Sequence, residues 1–185
     1  PTGMVAVLGG EPDEVLARLD ELGLVGANRN GAGQIVAAGP LEALDALVEE
    51  PPGRAKVRRL QVAGAFHTRF MAPAEEALRA RAAGIVVKDA ALPLLSNADG
   101  DVVSSGDEVL DRLISQVTRP VRWDACQATL AARGVTAVVE LPPAGALTGL
   151  AKRELKGTPT LGLKTPDQLD QVVEMITATP AGASE

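Results

Sequence analysis

The sequence has 185 residues, 46% of them hydrophobic and 23% charged, which suits one domain or one domain carrying a smaller insert and excludes wholesale disorder. Eighteen basic side chains against 24 acidic ones give a net charge of −6, and aromatics are 2% with no tyrosine, which excludes a basic nucleic-acid footprint and a base-stacking platform. One cysteine and one histidine exclude a disulfide framework, a Cys-based zinc site and a His-pair metal site, and no apolar run approaches the roughly 20 residues a membrane span needs. A reduced, cytoplasmic setting fits this usage. No signal-peptide pattern follows Pro1, and a chain opening Pro1-Thr2-Gly3 is expected to continue upstream.

In chain order, Met4 to Leu8 reads as a buried strand ended by Gly9-Gly10. Pro12 opens a helix whose Val15, Leu16, Leu19 and Leu22 recur at helical spacing. Val25 to Asn28 reads as a strand, and Asn28 to Gly33 as a polar, glycine-bearing connection. Gln34 to Ala38 is a strand, Leu41, Leu44 and Leu47 mark a helix, and Lys56 to Ala63 is a fourth strand. The order strand, helix, strand, strand, helix, strand is the ferredoxin-like split βαβ arrangement.

Beyond it, Pro73 to Ala83 is predicted helical with Leu78 as chief apolar anchor, and Ala91 to Asn97 an apolar strand. Asp107 to Val117 is amphipathic, with Val109, Leu110, Leu113, Ile114 and Val117 on one face. Trp123 to Arg133 is a helix and Val135 to Leu141 a fully buried strand. Leu147 to Leu155 is a helix, Thr160 to Leu163 a strand and Pro166 to Ile176 a last helix, with a frayed tail over 178–185. Strands alternating with helices suggest part of an α/β parallel sheet.

His67 is the one side chain whose unperturbed pKa lies near neutrality. It follows a predicted strand and precedes a predicted helix, and spacing alone leaves it either a general base or a capping or packing histidine. Cys126 lies inside an amphipathic helix with no lysine or second histidine close in sequence, so it reads as a packed, inert thiol. Gly145 and Gly149 stand at a helix start whose N–H groups could hold an anion, or serve close packing. No P-loop, G-x-G-x-x-G or G-x-S-x-G motif occurs, and Ser96, Ser104, Ser105 and Ser115 lack a nucleophile's setting.

Val62-Ala63-Gly64-Ala65-Phe66-His67-Thr68-Arg69-Phe70-Met71 resembles the catalytic-histidine segment of the malonyl-CoA:acyl-carrier-protein transacylases. Asn28-Arg29-Asn30 through Gly39, Leu95 to Gly100, Gln116 to Trp123 and Leu147 to Arg153 are similar to further stretches of that family, in order and over nearly the whole chain. The likeness is strongest to its actinobacterial form.

The resemblance implies an α/β fold: a ferredoxin-like small subdomain over 1–63, then the C-terminal part of an α/β-hydrolase-like acyltransferase subdomain over 64–177. It implies ping-pong transfer of malonyl from coenzyme A, through an acyl-serine, to the phosphopantetheine thiol of acyl carrier protein, with no cofactor or metal. His67 matches the general base and Gln116 the residue whose main-chain carbonyl orients it. Asn28, Asn30 and Gln34 match small-subdomain positions facing the cleft. Phe66 matches a malonyl-selecting position and would crowd an α-methyl branch, a discrimination of roughly 1–3 kcal/mol.

The family's nucleophilic serine, its oxyanion loop and the arginine that clamps the malonyl carboxylate match nothing after Pro1. The chain alone is therefore expected to be inactive and to need the missing N-terminal segment as partner. The competing reading is a truncated, non-catalytic module that binds coenzyme A or carrier protein. Arg58, Arg59, Lys152 and Arg153 are basic positions that could meet an acidic carrier.

Overall fold

The computed structural model describes residues 1–178. Two compact units divide at Cys126/Gln127. In the first, β1 (Thr2–Leu8), α1 (Pro12–Glu21), β2 (Val25–Gly31), β3 (Gln34–Pro40), α2 (Leu41–Glu49) and β4 (Lys56–Arg59) follow the predicted order. They form a sheet in the order β4-β1-β3-β2, antiparallel throughout, which is the ferredoxin-like arrangement.

Strand alternation gives this sheet two buried faces. Val5, Val7, Ile35 and Ala37 point to one face and pack with Val15 and Leu19 of α1 and Leu44 and Leu47 of α2. Met4, Val36 and Ala38 point to the other, where Ala65 covers them. Val, Leu, Ile and Ala, together with Met4, build both layers without an aromatic side chain.

β2 runs on past Asn28 through Arg29, Asn30 and Gly31, which the sequence places in the polar connection. The reason is pairing on both sides: Asn28 and Arg29 oppose Val36 and Ile35 of β3, and also Val121 and Arg122 of a short parallel strand, β7 (Val121–Arg122). Ladder partners override the weak strand preference of asparagine. Register shifts at Gly26/Asn28 and Arg29/Gly31 put Ala27 and Asn28 together opposite Val36.

β4 stops at Arg59, short of the predicted Ala63, because it pairs with β1 only over Val5 to Leu8. The chain then leaves the ladder and carries Ala65 to the second face. A 3₁₀ turn (Arg69–Met71) leads into α3 (Ala72–Ala82). Leu78 does not anchor that helix: it is 42% exposed, and Ala82 is its buried residue.

The predicted strand Ala91–Asn97 reduces to β5 (Leu94–Leu95), hairpinned with β6 (Val102–Val103). Pro93 has no N–H to extend the ladder. In α4 (Gly106–Ser115) Ile114 is buried, but Leu113, predicted on the same face, is 60% exposed.

α5 (Trp123–Ala132) continues past the division between units. The second unit holds parallel strands β8 (Val138–Glu140) and β9 (Thr160–Gly162), with α6 (Ala146–Glu154) between them. A 3₁₀ turn (Pro166–Gln168) and α7 (Leu169–Ala178) replace the single predicted last helix. β8 is shorter and less buried than predicted: its ladder covers three residues, and Leu141 is 69% exposed. Ala178, assigned to a tail by sequence, ends α7; the remainder, 179–185, lies outside the described residues.

Gly145 does not leave open N–H groups for an anion. The Glu140 carboxylate takes them: it accepts from Gly145 N–H at 2.9 Å, Leu147 N–H at 2.9 Å and Thr148 N–H at 2.8 Å. The protein supplies its own anion to the N-terminus of α6. Burial by itself would raise the Glu140 pKa, but these donors outweigh it and hold the carboxyl at about 2, against an ordinary 4.5.

Two stability tests follow from these contacts. Glu140→Gln is expected to lower unfolding free energy by about 2–3 kcal/mol at pH 7, read by urea denaturation. Because the folded pKa is depressed, the wild-type advantage is full above about pH 4.5 and shrinks as pH falls toward about 2, so the two proteins should converge at acid pH. Gly100 adopts φ +83°, and an added β-carbon would lie 2.5 Å from the Ala125 carbonyl carbon. Gly100→Ala is expected to cost about 3 kcal/mol, seen as a lower thermal midpoint.

Candidate active site

His67 is held between two anchors. Before it, Ala65 is fully buried on the second sheet face and donates its N–H to the Thr2 hydroxyl at 3.2 Å. After it, the buried Thr68 hydroxyl donates to the Ala65 carbonyl at 2.6 Å and accepts from Phe70 N–H at 3.3 Å. Thr68 thereby caps the turn that opens into α3. His67 itself adopts left-handed backbone, φ +60°. That conformation costs an L-residue about 1–2 kcal/mol, and such strain concentrates at functional positions.

The half-buried imidazole places Nδ1 2.7 Å from the backbone carbonyl of Gln116. A carbonyl oxygen only accepts, so Nδ1 carries the proton. In the neutral ring the free lone pair is then on Nε2, the tautomer a general base requires. Gln116 caps the C-terminus of α4 and is buried. Its side-chain amide donates to the carbonyls of Arg119 and Pro120, at 2.8 Å each. One residue thus offers the ring its acceptor and braces the turn that carries it.

Asn28, Asn30 and Gln34 fall on a common sheet face. Asn28 opposes Val36, which packs with Ala65, and directly opposed residues share a face. Gln34 lies two residues from Val36 on β3, and the Asn30 side-chain amide donates to Gln34 Oε1 at 3.4 Å. All three therefore sit on the side that carries the His67 segment, while Arg29, opposite Ile35, sits on the helix-covered side. Phe66 immediately precedes His67 and is 39% exposed.

The hydrogen bonds bring together His67 with Gln116, and Asn30 with Gln34; Asn28 shares the face without sharing either of these two bonds. Thr68 and Thr2 escaped the sequence reading. A hydroxyl residue just before a helical pattern is a signal that could have found Thr68. Thr2 carries no such signal, since its partner is 63 residues away.

Cys126 is buried and its thiol donates to the Ser96 carbonyl at 3.4 Å. Burial pushes its pKa up, and Asp124 and Asp99 push it further, so it is a packed thiol and not a nucleophile. Among the described residues no group of three His, Cys, Asp or Glu side chains is placed to hold a metal ion, and no helix is long and apolar enough to cross a membrane.

Residues 1–180 match the model of the acyl transferase domain family. The chain is 58% identical over 175 residues to the malonyl CoA-acyl carrier protein transacylase of Mycobacterium tuberculosis, covering 95% of this chain and 58% of that protein. It is 56% identical over 174 residues to the transacylase of the same name from Mycolicibacterium smegmatis, covering 92% of this chain and 60% of that protein. The crystal structure of MCAT from Mycobacterium tuberculosis superposes with a TM-score of 0.90 at 59% identity, over 93% of this chain and 57% of that one. The chain therefore spans somewhat under two thirds of the length of the curated relatives it matches, and it belongs to the acyl transferase domain family.

Proposed function

We propose that this chain is the C-terminal portion of a malonyl-CoA:acyl-carrier-protein transacylase and supplies its general base. The observation that carries the reading is the 2.7 Å contact between His67 Nδ1 and the Gln116 carbonyl. It leaves Nε2 free to take a proton from a serine hydroxyl, which is a weak nucleophile unaided.

In that reaction the serine oxygen attacks the malonyl thioester carbonyl while Nε2 takes the hydroxyl proton. Collapse of the tetrahedral adduct expels the coenzyme A thiolate, which recovers the proton from Nε2. The carrier's phosphopantetheine thiol then gives its proton to Nε2 and attacks the acyl-serine. Its collapse returns the proton to the serine oxygen. Throughout, Nδ1–H keeps its bond to Gln116, which strengthens when the ring is charged.

The serine, the oxyanion donors and the malonyl-carboxylate clamp belong to a segment N-terminal to Pro1. That segment is the partner that completes the site, and the chain alone is inactive. Residues 1–63 form the small subdomain and 64–177 part of the large one. Exposed Leu78, Leu113 and Leu141 are surfaces the partner segment would cover. Asn28, Asn30 and Gln34 line the substrate side, and Phe66 disfavours an α-methyl branch. Malonyl-CoA and acyl carrier protein are substrates in a cytoplasmic reaction that needs no cofactor. The competing module that only binds coenzyme A or carrier protein would have no use for a base in its reactive tautomer.

Intact-mass spectrometry after incubation with malonyl-CoA tests this. The chain alone should stay unmodified, whereas the protein restored with its N-terminal segment should gain one malonyl group. In the restored protein His67→Gln should slow acylation by about 10²–10⁴-fold. Undiminished acylation in that variant would overturn the assignment of His67.

A further inference from the structure

Orienting an imidazole requires that both ends of its hydrogen bond stay put. The His67 end is fixed by Thr68, Ala65 and Thr2. The other end is a carbonyl at the C-terminus of α4, where the i+4 ladder gives way to i+3 bonds: Val117, Thr118 and Arg119 N–H donate to the Ile114, Ser115 and Gln116 carbonyls at 3.2, 3.2 and 3.4 Å. Beyond these local bonds and the Gln116 amide, a tie reaches that end from α3, the helix that continues directly from the His67 segment.

Glu75 lies in the first turn of α3. Its carboxylate accepts from the hydroxyl of Thr118, two residues beyond Gln116. Thr118 Oγ1 also stands 3.3 Å from the Ser115 carbonyl. The other Glu75 oxygen accepts from Arg79 at 3.0 Å, and Arg79 donates to Asp111 of α4 at 2.8 Å and contacts the buried Ser115 hydroxyl at 3.4 Å. The Thr118 hydroxyl and the Arg79 guanidinium hold the Glu75 carboxyl below its ordinary range, so it is a charged acceptor at neutral pH.

We infer that Glu75 is a positioning residue for His67, acting through Thr118 to fix the 115–120 turn that presents the Gln116 carbonyl. The bonds close a ring: His67, through the capped turn to α3, from Glu75 to Thr118, back to Gln116, and from its carbonyl to the imidazole. Opening the ring at Glu75 removes the tie from α3 and loosens the turn that presents the carbonyl, while leaving the sheet and both buried layers untouched. The inference rests on reading His67 as a base that must keep its Nδ1 proton.

His67 is the only histidine of the 185 residues, so its ring can be read without assignment ambiguity. The chain is labelled with 15N-histidine, and ring nitrogens are observed by long-range proton–nitrogen correlation at a pH where the ring is neutral. Wild type should show a pyrrole-type Nδ1 and a pyridine-type Nε2. Glu75→Ala and Thr118→Val should each raise the Nε2–H tautomer by about fivefold, the equivalent of one lost hydrogen bond. Glu75→Gln and Thr118→Ser keep an acceptor and a donor and should retain the wild-type ring signals. Wild-type tautomer populations in both Glu75→Ala and Thr118→Val would overturn the inference. If Thr118→Val fails to fold, Glu75→Ala decides alone, since Glu75 is only half-buried and fills no core space. The ring signals do not depend on acyl transfer, so an active His67→Gln enzyme would sink the proposed function without touching this result.

Discussion

A single hydrogen bond, from His67 Nδ1 to the Gln116 carbonyl, joins segments 49 residues apart and sets what the histidine can do. The surrounding structure can be understood as what that bond requires. One side needs a backbone in a conformation an L-residue avoids, and a pair of threonine hydroxyls pins it there. The other side needs a helix end that does not fray, and the Gln116 amide ties it to the Arg119 and Pro120 carbonyls. Neither support is itself reactive. Their product is a lone pair in a known place.

The sheet provides the platform because it is buried on both faces for different reasons. One face is a conventional helix-covered core of Val, Leu and Ile. The other is faced with small side chains, Ala27, Ala38 and Ala65 among them, which let the His67 segment approach the strands closely. A composition with 2% aromatics is compatible with this close approach. Bulky side chains at those alanines would lift the segment away from the sheet.

Much of this was legible in the sequence, and the failures share one cause. Helix order, strand order and the pairing of His67 with Gln116 followed from local patterns and from the family resemblance. Arg29 and Asn30 read as part of a polar, glycine-bearing connection after a strand ending at Asn28, and the neighbours β3 and β7 extend the strand through them. Leu78 and Leu113 read as buried because periodicity reports which face is apolar, not what covers it. The Gly145 region left an anion site and close packing both open because the anion that settles it, Glu140, arrives from the preceding strand. In each case the deciding partner is remote from the pattern that was read.

The doubled residue in β2 has a consequence for how this protein can change. Ala27 and Asn28 both face Val36, so the alternation slips by one step there. Without that slip Asn28 would turn toward α1 and Arg29 would take its place beside the histidine segment, exchanging a neutral amide for a fixed positive charge. Losing one residue from this strand would therefore act like several substitutions at once. Length in β2 is a chemical variable, and point replacement is the route by which the lining of this face can vary while the fold stays intact.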